Sequence, residues 1–155
     1  MIQRIQSLYL LIATVLLFLV FCFPFSVLHD ANGGIYSLVY NGLKQQTSNG
    51  WLQIKINYLS LLALLFTNTV TFFAIFMHKN RKLQMKFCWI SIVSAFLLFA
   101  SFFIRHWQTL SELNISNSNF SVSAILPLIS AILTYMALKA IKKDDDMVKS
   151  IDRIR

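Results

Sequence analysis

Charge is scarce in this sequence: only 13% of its 155 residues are charged, and Asp and Glu together number 6. Water-soluble domains carry about 25% charged residues. At 57% hydrophobic, a chain this short has more apolar side chains than a soluble core of its size can enclose. Glycine and proline are also rare, 4 and 2 residues, and all four glycines lie within residues 29–56. Cysteine occurs twice and without a C-x-x-C spacing, so neither a disulfide scaffold nor a thiol oxidoreductase fits. The Lys and Arg surplus gives a net charge of +8, but the charges fall between long apolar runs. No nucleic-acid partner is expected.

Those apolar runs dominate what is present. Four segments contain no charged residue: Ser7–Leu28, Asn57–Met77, Phe87–Ile104 and Phe120–Leu138. About 20 apolar residues cross ~30 Å of hydrocarbon. Backbone in lipid must satisfy its own hydrogen bonds, so the runs read as transmembrane helices. The expected fold is all-α: a single membrane domain over residues 1–155, built as an antiparallel four-helix bundle. Outer loops 29–56 and 105–119 and a tail over 139–155 complete it. Within the first loop, Ile35–Tyr40 and Trp51–Ile56 are β-prone, with Asn41-Gly42 and Asn49-Gly50 as turn signals between them, which predicts a small hairpin. Pro24 and Pro127 read as kinks in the first and last spans. The first run is too long for a signal-peptide core and reads as retained.

Orientation follows from the basic residues. Eleven Lys and Arg fall at the N-terminus, in the connection around residues 79–86 and in the tail; Lys44, Lys55 and Arg105 are the three on the other side. This bias places both termini in the cytoplasm. The partners it implies are the lipid bilayer and anionic lipid headgroups at the cytoplasmic face.

No ionisable group lies inside any span, which argues against an ion-coupled carrier. P-loop, Rossmann, G-x-S-x-G and H-E-x-x-H patterns are absent, so no catalytic residue, cofactor or metal is assigned. His29, Asp30, His106 and Glu112 share the outer side without a metal-ligand spacing. The strongest polar feature inside a span is Thr67-Asn68-Thr69, followed by Thr71. Thr67, Asn68 and Thr71 read as interhelical hydrogen-bonding residues; a polar lining for a small neutral ligand is the alternative. In the tail, Met147, Val148, Ile151 and Ile154 recur at helical spacing. One reading is a helix end resting on anionic lipid. The other is a docking surface formed by Arg4, Met147, Ile151, Asp152, Arg153 and Arg155.

The opening MIQRIQSLYLLIA and the closing KKDDDMVKSIDRIR together resemble an uncharacterised family of bacterial inner-membrane proteins. That domain of unknown function has four spans, a MIQRIQ-type N-terminus and an RxR-type C-terminus. Gln3, Arg4, Gln6, Asp152, Arg153 and Arg155 carry the resemblance. It implies compartment and architecture and supplies no activity. The leading expectation is a non-enzymatic subunit or accessory factor of a membrane assembly, with a membrane-protein partner. A neutral-cavity transporter or lipid-handling protein is the alternative, and an enzyme using an outer-face histidine is the third reading.

Overall fold

A computed structural model describes residues 2–30, 34–113, 115 and 117–152, and their side chains except those of residues 2–4, 79, 117, 151 and 152. In chain order the elements are α1 (Ile2–Cys22), β1 (Ser26–His29), β2 (Ile35–Val39), β3 (Gly42–Thr47), β4 (Gly50–Ile56), α2 (Tyr58–Phe76), α3 (Arg81–Leu113), β5 (Asn117–Phe120) and α4 (Leu126–Asp152). Short 3-10 turns precede α3 and α4. The strands form one antiparallel sheet in the order β4-β3-β2-β1-β5. The chain is therefore mixed α/β, which corrects the all-α expectation.

Proline explains much of that correction. Pro24 has no N–H to continue a helix and turns the residue before it away from helical geometry. The last bond of the α1 ladder runs from Phe23 N to Leu19 O at 3.2 Å. The rest of the run Ser7–Leu28 then enters the sheet as β1, which pairs with β2 on one side and β5 on the other. Pro127 lies in the first turn of α4, where its missing N–H has no helical partner to lose. Both prolines mark helix boundaries rather than kinks.

The two β-prone runs of the first loop are strands, but they do not pair with each other. A polar segment between them, Gly42–Thr47, forms β3 and pairs with both. Each Asn-Gly closes a two-residue loop, with Val39 opposite Gly42 and Thr47 opposite Gly50. Gly42 and Gly50 have φ of 144° and 116°, a region that L side chains rarely adopt.

Four helices are long and apolar enough to cross a membrane. Asn57 caps α2, its side chain accepting from Leu59 N at 3.1 Å. At 33 residues, α3 is about 50 Å long and outruns ~30 Å of hydrocarbon. Its extension replaces most of the loop expected after residue 104. Each helix packs on two others in the cyclic order α1-α2-α3-α4. One core cluster joins Leu17, Leu64 and Leu98 of the helices to Phe25, Leu28, Leu38 and Leu43 of the sheet region. A second, at the opposite end, joins Leu10, Ala74, Cys88, Ile92, Ala137 and Ile141. Leucines and phenylalanines cover the outward faces of the helices, as lipid contact requires.

Candidate functional site

Polar side chains inside the helices occur at three levels. At the sheet end, Ser26 Oγ and His106 Nδ1 lie 3.0 Å apart, and both residues are buried. This hydrogen bond fastens β1 to the extension of α3. The His106 ring also packs on Phe120 of β5, with centroids 4.3 Å apart. Ser123 Oγ donates to the carbonyl of Pro24, tying the turn before α4 to the chain between α1 and β1. Among the described residues, no three His, Cys, Asp or Glu side chains come together as metal ligands. Glu112 instead pairs with Lys55 at 3.0 Å on the surface.

At mid-length, Thr67 and Thr71 are buried and each donates to the carbonyl one turn back, at 2.8 Å. Thr71 Oγ1 also lies 2.5 Å from Ser91 Oγ, and this bond joins α2 to α3. Asn68 behaves differently. Its Oδ1 is buried and accepts no hydrogen bond. Its side chain lines a groove between α1 and α2, about 380 Å³ in volume, with Thr14, Val15, Phe18, Thr69 and Phe72. The interhelical bond of this region thus belongs to Thr71, three residues beyond Asn68.

An unpaired amide oxygen away from water costs about 1–3 kcal/mol. Asn68→Leu is accordingly expected to raise stability by an amount on that order, read as a higher midpoint of thermal unfolding in detergent. A lower midpoint would show that the Asn68 amide is holding helices together.

At the end opposite the sheet, two glutamines and an arginine tie helix ends together. Gln6 Nε2 donates to Ala140 O at 3.2 Å, linking α1 to α4. Gln84 Nε2 donates to Ala74 O at 3.0 Å, linking α3 to α2. Arg81 reaches α4 twice: Nη1 donates to Asp144 O at 3.1 Å, and Nη2 lies 3.3 Å from the Asp144 carboxylate. These contacts escaped sequence reading because each partner is a backbone carbonyl or lies far along the chain. The available signal was the presence of two glutamines beside apolar runs, where an amide is retained only if it finds partners.

Of the expected docking residues, Met147 is exposed on α4, as is its neighbour Val148. They are 36% and 41% exposed. Arg4, Ile151 and Asp152 belong to α1 and α4, but their side chains lie outside the described residues, as do Arg153 and Arg155 altogether. The helix that carries this stripe is fixed upstream by Arg81, and within it Lys149 hydrogen-bonds Asp145 one turn back.

Among curated proteins, none matches the chain. A family does. The family described as Domain of unknown function (DUF4293) matches residues 2–154, nearly the whole chain, and the protein belongs to it.

Proposed function

We propose that this chain is a non-enzymatic subunit or accessory factor of a larger membrane assembly in the bacterial inner membrane, with both termini in the cytoplasm. The charge bias and the terminal motifs support the compartment and orientation. The observation that carries the role is the end of α4. This helix continues beyond its apolar segment, is held in place by Arg81, and leaves Met147 and Val148 partly exposed. A helix that extends an apolar stripe past its own fold has a surface for a partner helix or groove. Lys139, Lys142 and Lys143 on the same helix stand ready for anionic headgroups.

Truncation after Asp146 tests this role. The shortened protein should keep the thermal stability of the full chain, because the contacts of Gln6, Arg81 and Gln84 all lie upstream. It should lose the proteins that co-purify with the full chain. Full retention of those partners would reduce the tail to a lipid-facing end.

The groove beside Asn68 favours a second reading, the handling of a small neutral ligand within the bilayer. An Asn68→Leu protein that is stable, keeps its partners and fails to complement a deletion would favour this reading over the first.

A further inference from the structure

The two edges of the sheet differ sharply. At one edge, β5 is four residues long and reads Asn-Ser-Asn-Phe. Short, polar edges resist pairing with other chains. At the other, β4 has seven residues, all of them exposed. Trp51, Leu52, Ile54 and Ile56 are each more than half exposed. No proline interrupts the strand. Its outer row of backbone N–H and C=O groups faces no further strand of the sheet.

The inner face of the sheet shows the same incompleteness. Cross-strand partners form the row Leu28, Tyr36, Gln45 and Leu52. Leu28, on β1, is 0% exposed against the helices; Leu52, on β4, is 59% exposed. The sheet thus overhangs its own core. This part of the molecule packs on the extension of α3: Leu38, Leu43 and Lys55 share a small cleft with Arg105, Gln108, Thr109 and Glu112. The end of β4, at Lys55, therefore stands beside helix that has already left its apolar segment. Protein, rather than hydrocarbon, is the cover such a strand lacks.

We propose that β4 is a self-association edge, at which two copies of this chain pair Gly50–Ile54 antiparallel about a two-fold axis through Leu52. An edge strand related to its copy by a two-fold axis is its own complement. The register follows from the strand. A bulge leaves Ile54 without a partner in β3, so the regular stretch begins at Gly50 and ends there. Centring on Leu52 sets Leu52 against its copy and Trp51 against Gln53, with Ile54 beside the pair on the overhanging face. The two sheets become one continuous sheet, and the free N–H and C=O groups of both edges are paired. This association is independent of the tail of α4.

Cysteine cross-linking tests the register in intact membranes. Residues directly opposite in an antiparallel pair have Cα atoms about 4.5–5.5 Å apart, within disulfide reach. Leu52→Cys is made with Cys22→Ser, which removes the exposed native thiol; Cys88 is buried and stays. Mild oxidation should convert most of the Leu52→Cys protein to a reducible dimer. Lys44→Cys, on interior strand β3, should stay monomeric under the same conditions. Because Leu52→Cys itself removes apolar contact, the unaltered chain is also examined in lipid nanodiscs by native mass spectrometry. It should be dimeric, and Ile54→Lys should be monomeric. Monomeric unaltered protein with no cross-link above the Lys44→Cys level would overturn the proposal. So would strong quenching, by brominated lipid, of a fluorophore at position 52, since that result buries the strand in the bilayer instead.

Discussion

Replacing Gly42 by valine is expected to remove about 3 kcal/mol or more of stability and to detach the β3–β4 hairpin. Two effects combine at this position. With φ at 144°, Gly42 occupies backbone space in which a residue bearing Cβ is strained by about 1–3 kcal/mol. In addition, a Cβ there would lie 1.9 Å from the carbonyl oxygen of Lys55 and 3.1 Å from Cα of Ile56. Both obstacles are backbone atoms of β4, so no side-chain rotation relieves them. Gly50 is the control. Its φ is also positive, at 116°, but a Cβ there meets nothing within 4 Å. Gly50→Ala should therefore cost only about 1–2 kcal/mol, the conformational part alone. Unfolding midpoints in detergent compare the two, and limited proteolysis locates the opened hairpin. Equal, small losses at both glycines would mean that β3 and β4 do not approach as described.

Phe102→Ala is expected to cost about 3–5 kcal/mol, the usual range for emptying a buried phenylalanine site. Phe102 is 1% exposed and stacks on Phe25 with ring centroids 5.0 Å apart. Phe25 immediately precedes β1, so this contact is where the sheet joins the helices. The neighbouring Phe103 is 47% exposed and touches Phe120 from outside. Phe103→Ala should accordingly cost about 1 kcal/mol, as for an ordinary site away from the core. Chemical denaturation of the two variants in the same detergent measures the difference. If Phe103→Ala proved the more damaging, the sheet would not be seated on the face of α3 described here.

Helices were readable from the sequence wherever hydrocarbon thickness sets the pattern. The uncharged run Asn57–Met77 brackets α2 with its cap, because the start of that helix coincides with the start of its apolar stretch. The sheet was less readable, for three separate reasons. β1 lies in the apolar run broken by Pro24, and composition alone does not separate a buried strand from a helix end. β5, Asn-Ser-Asn-Phe, is short and polar and carries no strand pattern. β3, Gly-Leu-Lys-Gln-Gln-Thr, is mostly polar because only Gly42 and Leu43 are buried. The outer part of α3 contains charged and polar residues, but Phe102, His106, Thr109 and Leu113 follow a 4-3-4 spacing. That spacing was the available sign of a helix with one packed face.

The candidate site was legible in residue type and less so in partnership. Thr67, Asn68 and Thr71 stand out as the polar exceptions in α2, yet sequence does not tell which of them reaches another helix. Helical geometry gives that contact to Thr71, which faces Ser91, while Asn68 turns toward the groove beside α1. The terminal motifs were conspicuous as sequence. The reason for Gln6 emerged only in the fold, where its amide reaches a carbonyl of α4 far away in the chain.

The proposed orientation places the sheet on one side of the bilayer and the α2–α3 connection and α4 tail on the cytoplasmic side. Single cysteines at Gln46, on β3, and at Asn80, in the connection, are introduced into a chain carrying Cys22→Ser. A membrane-impermeant thiol reagent is then applied to intact cells and to inverted membrane vesicles. The account predicts labelling at position 46 only in intact cells and at position 80 only in inverted vesicles. Labelling of both positions from the same side, or the reverse pattern, would contradict it.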